Sequence, residues 1–143
     1  MISDKFRIQH SLLIEHYQFV EAHLESIYAA LSGKNLLYGL HDVEKASLPI
    51  IIKEIQTLEQ RKKVCVFSED DYDRLKNAVC RRNFWCHNCY YDLVFDRKTG
   101  NLKYKADTLQ MNNDLLEAED LRNYLFEKQS RICERNSTNL LGF

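Results

Sequence analysis

Phe6, His10, Leu13, Tyr17, Val20, Leu24, Ile27 and Leu31 follow one another in alternating steps of four and three residues. That spacing keeps one face of a helix apolar for about seven turns, and a strand cannot reproduce it. Ser3 or Asp4 caps the start and Gly33 the end, so the helix is about 40 Å long at a rise of 1.5 Å per residue. So long a helix with one seam has to bury it against other helices, in a bundle or across a dimer. His10, His16 and His23 lie on it six and seven residues apart. That is not the i, i+4 spacing of a ligand pair, and they read as packed or surface histidines.

The rest of the chain offers few breaks, with 4 Gly and 1 Pro in 143 residues, and long elements without breakers are helices. A link from Gly33 to Gly39, carrying Leu36, Leu37 and Tyr38, leads to a second helix from His41 or Asp42 to Lys62. Pro49 either kinks this helix or makes Ser47 the cap of a fresh one. Ile50, Ile51, Ile52, Ile55 and Leu58 are its buried face, and Gln60-Arg61-Lys62-Lys63 is a basic end that suits the helix dipole. Val64-Cys65-Val66-Phe67 is too short for a strand. Ser68-Glu69-Asp70-Asp71 opens a third helix, with a cap residue and an acid three positions on. It runs to about Phe95 on the stripe Tyr72, Leu75, Val79, Arg82/Asn83, Cys86, Tyr90 and Leu93/Val94. Asp96 to Asn101 is turn chemistry, and Leu102-Lys103-Tyr104 is a short extended piece or the approach to a fourth helix. That helix starts at Asp107 or Thr108, with Leu109, Leu115/Leu116, Leu121, Leu125 and Ile132 inside, and 136–143 form a frayed polar tail. The expectation is an all-α, up-and-down bundle of four to five helices in a single domain over 1–143. The unused parts of its long seams are a dimer surface.

The net charge of −1 excludes a chain that is basic throughout; any nucleic-acid contact must come from a local patch, or from two patches joined by symmetry. No signal peptide or membrane span is visible, and an odd set of five Cys has no secreted-domain spacing. The reading is a cytoplasmic protein with reduced thiols, no membrane partner and no cofactor.

The polar interruption of the third helix bears the chemistry. Arg82, Asn83 and His87 stand on or beside a packing stripe, where polar groups carry a desolvation cost. Asn83 and His87 are i, i+4, so on a continuous helix they stack, and the amide fixes the imidazole tautomer. Arg82 is about 140° around the helix from His87, too far for both to reach one small atom in one chain. Across a two-fold axis, two Arg and two His can share a cleft. RNA cleavage without a metal needs a 2′-hydroxyl deprotonated, phosphorane charge held and a 5′-oxygen protonated. Imidazole moves the protons and guanidinium grips phosphate.

Arg82-Asn83-Phe84-Trp85-Cys86-His87 resembles the signature of the HEPN superfamily, an arginine followed four to six residues later by histidine, with a polar residue after the arginine. The family fold is a helical bundle with the motif late in a long helix and two copies facing in a dimer. The resemblance implies a metal-independent endoribonuclease, often a toxin or phage-defence effector, with RNA as substrate and an antitoxin or regulatory protein as partner. Arg82 is then the phosphate-binding arginine, Asn83 the orienting residue and His87 the catalytic histidine. Arg81 fits the looser spacing. Toxins of this superfamily paired with a nucleotidyltransferase carry Tyr two residues after the His; here that position is Cys89, so that route of neutralisation is not implied.

Other readings compete for the same residues. Cys86 and Cys89 have one zinc-ligand spacing, but with Cys80 and His87 they lie within one expected helix and cannot wrap a tetrahedron. Trp85, Tyr90 and Tyr91, with Phe84, are candidates to stack on bases in a single strand, Arg81 to track its backbone; aromatics at helical spacing are more often core. The runner-up function is a non-catalytic helical dimerisation or protein-interaction module.

Overall fold

The Ser3 hydroxyl accepts the Phe6 amide N–H, and the helix α1 (Asp4–Ser32) runs unbroken from it to Gly33. Gly33 takes φ +74°, the left-handed conformation that ends helices and that glycine adopts without strain. The computed structural model describes residues 2–87, 89–94, 99 and 108–140. After α1 come α2 (Leu36–Val43), α3 (Leu48–Lys62), α4 (Glu69–Cys86), α5 (Cys89–Val94) and α6 (Thr108–Leu140), and no strand occurs among the described residues. The expected 96–101 turn and the 102–104 piece lie outside them, apart from Thr99, which is in a turn.

Two boundaries differ from expectation in the first half. The 33–39 link is mostly helix, because the Asn35 side chain accepts the Leu37 N–H and starts α2 there. Gly39 lets α2 lie against α1: a Cβ at this position would sit 2.8 Å from the Ala29 Cα. The helix expected from 41 instead begins afresh at Leu48, with Ser47 as cap and Pro49 in the first turn, where its missing N–H costs nothing. The Ser68–Asp71 capping box is formed in both directions.

α1 and α6 run parallel. Gln9 bonds Asn112, His16 bonds Arg122 and His23 bonds Gln129, so both numbers rise together. α4 runs antiparallel to α6, with Arg74 held by Glu117 and Asp120 and Arg81 by Asp114. Among the described residues the core is in two parts. The larger joins the second half of α1 to α3, α4 and α6 through Leu24, Ile27, Ile51, Ile55, Leu75 and Leu121. The smaller joins the first half of α1 to the end of α4, α5 and the start of α6, through Phe6, Leu13, Tyr17, Trp85, Cys89 and Met111. α6 buries Met111, Asp114, Ala118, Leu121 and Leu125 and leaves Leu109, expected inside, 69% exposed; of the expected alternatives Leu115/Leu116, Leu115 packs on the core and Leu116 is 67% exposed. No helix among the described residues is long and apolar enough to cross a membrane.

Candidate functional site

The helix expected to reach Phe95 stops at Cys86. His87 has φ −123° and ψ 130°, extended backbone, while its N–H still donates to the Asn83 carbonyl as the last turn closes. The continuous helix that the i, i+4 stack of Asn83 on His87 assumes therefore ends one residue short of His87.

The break is held from outside α4. A helix's last carbonyls lack partners within it, and here the Trp85 carbonyl takes the His10 Nε2 at 2.8 Å and the Cys89 thiol at 3.2 Å. A carbonyl only accepts, so the His10 proton is on Nε2. The Cys89 sulfur lies 3.6 Å from that nitrogen, but both groups aim their protons at one carbonyl, so the thiol and imidazole are not arranged as nucleophile and base. The His10 ring also meets Tyr90 edge-on with centroids 5.0 Å apart.

One turn deeper, the Asp114 carboxylate gathers three donors. Its Oδ2 accepts the Trp85 indole N–H at 2.7 Å and the Arg81 Nε at 2.8 Å, and its Oδ1 accepts the Gln110 amide at 2.9 Å. Burial raises the nearby Tyr17 hydroxyl above its usual range, and the Asp114 charge pushes the same way. The Phe84 face receives the Arg81 guanidinium at 4.8 Å from its centroid.

These contacts sort the expected site residues. Trp85 is 1% exposed and its indole is bonded, so it is a core anchor and cannot stack on a base. Arg81 is committed to Asp114. Tyr90 is half-buried, T-shaped on Phe6, with the Arg7 guanidinium over its ring; Tyr91 is exposed. Asn83 and His87 are exposed at the end of α4. Arg82 faces α1, where it pairs with a Glu21 carboxylate oxygen 3.7 Å away, a loose contact worth little. The expected Cys86 stripe position is exposed, and Trp85 fills the core in its place.

Neither His10, which the sequence suggests is packed or on the surface, nor Asp114 is among the expected site residues. The signal for each was a polar residue at a stripe position, His10 between Phe6 and Leu13 and Asp114 between Met111 and Ala118. Such residues, once buried, must be bonded.

The fold and site define an all-helical protein whose motif lies at an outside-clamped break between two helices. Compared with family models, curated proteins and solved structures, the chain gives no match to any of the three.

Proposed function

We propose that this protein is a metal-independent endoribonuclease of the HEPN type, acting as a homodimer with a composite site of Arg82 and His87 from each subunit. One observation carries the reading: α4 ends within the motif, leaving His87 on exposed extended backbone and Arg82 with only the loose 3.7 Å pair to Glu21 among the described residues. A structural Arg–His pair would be expected to be tied in, as Arg81 and His10 are. The same comparison favours Arg82 over Arg81 as the phosphate-binding arginine. On this reading Asn83, exposed one turn back, bonds substrate rather than imidazole.

In this mechanism one His87 imidazole takes the 2′-hydroxyl proton. The freed oxygen attacks the adjacent phosphorus, and the bond to the 5′-oxygen breaks. The second His87, as imidazolium, protonates that leaving oxygen. The products are a 2′,3′-cyclic phosphate and a 5′-hydroxyl, with no net change in protons. The paired Arg82 guanidiniums hold the non-bridging oxygens as charge builds on them. Ile8, Leu12 and Phe19, exposed along α1, supply apolar surface for a second copy. They equally favour the alternative of a non-catalytic interaction module. A toxin or defence role, cytoplasmic location and a regulatory partner belong to the same proposal.

The test is cleavage of single-stranded RNA in EDTA by wild type and by His87→Ala, Arg82→Ala and Arg81→Ala. The expected result is loss of about 10²-fold or more for the first two and a smaller loss for Arg81→Ala. Equal cleavage by all four, or none by the wild type, removes the enzyme reading and leaves the module.

A further inference from the structure

α4 carries a row that the motif alone does not explain. Lys76, Cys80 and Asn83 follow in steps of four and three, so they share one face, and all three are exposed. The next step of four along the row reaches His87, just past the helix end. Beside this row lies α3, antiparallel to α4: the Tyr72 hydroxyl donates to Glu59, which sets the end of α3 against the start of α4. The start of α3 therefore lies toward the motif end.

Between the two helices is an open groove of about 450 Å³, within the ~300–1,000 Å³ range of sites that hold small ligands. Its surface is mostly apolar, with Pro49 and Ile52 from α3 and Val79 from α4 among the residues lining it. Lys53 lines it from α3 and Lys76 from α4, and no acid is among the described residues lining it. Both lysines are exposed.

Resting on the endoribonuclease reading, we infer that this groove is the track along which a single RNA strand approaches Arg82 and His87. A nucleobase lies against the apolar Ile52 and Val79, and Lys53 and Lys76 hold the neighbouring phosphates. Apolar lining and paired cations suit a nucleotide, which has flat apolar faces and a charge on each linkage. An apolar protein segment fits less well, because it would cover two ammonium groups without supplying anions. The polarity is also economical: the strand leaves the groove past Asn83, at the end of α4 where His87 stands.

The assay is fluorescence anisotropy of a labelled ten-nucleotide single-stranded RNA on the His87→Ala background, from 0.05 to 1 M salt. Each phosphate contact on a single strand contributes about 0.7 to the slope of log affinity against log salt. Lys53→Ala/Lys76→Ala is therefore expected to lower the slope by about 1.4, which is about 25-fold weaker binding at 0.1 M relative to 1 M. The control pair Lys34→Ala/Lys62→Ala, at the Gly33 end of the bundle away from the motif, is expected to leave the slope unchanged. Groove variants that match the control pair, no RNA binding by the parent, or groove substitutions that alter only the association of copies in sedimentation would each overturn the inference. RNA cleaved by the wild type with groove variants like the control sinks the groove and leaves the nuclease. RNA bound through Lys53 and Lys76 but never cleaved keeps the groove and sinks the nuclease.

Discussion

Replacing Asp114 with Ala should destabilise the protein by about 3 kcal/mol. The carboxylate accepts from the Trp85 indole, Arg81 and Gln110. Trp85 is buried, so its N–H loses its acceptor with no water to replace it, at a cost of about 1–3 kcal/mol. Breaking a fully buried ion pair costs about 3–5 kcal/mol, but the Arg81 side chain is 28% exposed and can rehydrate, so about 1–2 kcal/mol is appropriate there. With a urea m-value of roughly 2 kcal/mol/M, the midpoint falls by about 1.5 M. Asp114→Asn keeps an acceptor for the indole and should lose only about 1 kcal/mol. Trp85→Phe removes the orphaned donor, so the double variant should show a coupling of about 1–2 kcal/mol in a double-mutant cycle. A midpoint shift under 0.5 M for Asp114→Ala, or no coupling with Trp85→Phe, would refute the claim that this carboxylate anchors α4 to α6.

Three further outcomes are expected. Gly39→Ala puts a Cβ 2.8 Å from the Ala29 backbone; it should cost about 1–3 kcal/mol in urea unfolding, and a neutral result would mean α2 does not lie this close to α1. His16 and His23 are both lowered, chiefly by burial, with the Arg122 charge adding to each and a Gln129 hydrogen bond partly offsetting it at His23. Their unfolded forms bind protons first, so stability is full above about pH 6.5 and is lost as pH falls through the depressed folded values; His16→Gln/His23→Gln should flatten the fall in urea midpoint between pH 7.5 and 5.5. His10→Leu removes the clamp on the Trp85 carbonyl and should speed amide hydrogen exchange at residues 87 and 89–91, with His10→Gln partly restoring protection; unchanged exchange would separate the clamp from the break.

Much of the frame was readable because its causes are local. The Ser3 cap, the α1 stripe, the Gly33 stop and the Ser68–Asp71 box are each decided within a few residues. α2 was missed because Leu36, Leu37 and Tyr38 are exposed, so they show no burial period, and its start depends on one Asn35 side chain. The break at His87 was missed for the opposite reason. Its supports, His10 and Asp114, are 75 and 29 residues from Trp85 in sequence, and no helical period in 80–91 announces them. That break decides which expected site residues remain available. It buries Trp85, leaves Arg81 to Asp114, and sets Asn83 and His87 outside.

The most direct measurement is end-group analysis of RNA incubated in EDTA with wild type and with a His87→Ala variant shown to unfold at the same urea midpoint. The account predicts 2′,3′-cyclic phosphate and 5′-hydroxyl termini from the wild type and none above background from the variant. Matching cleavage by the two proteins, or fragments ending in 3′-hydroxyl and 5′-phosphate, would contradict it.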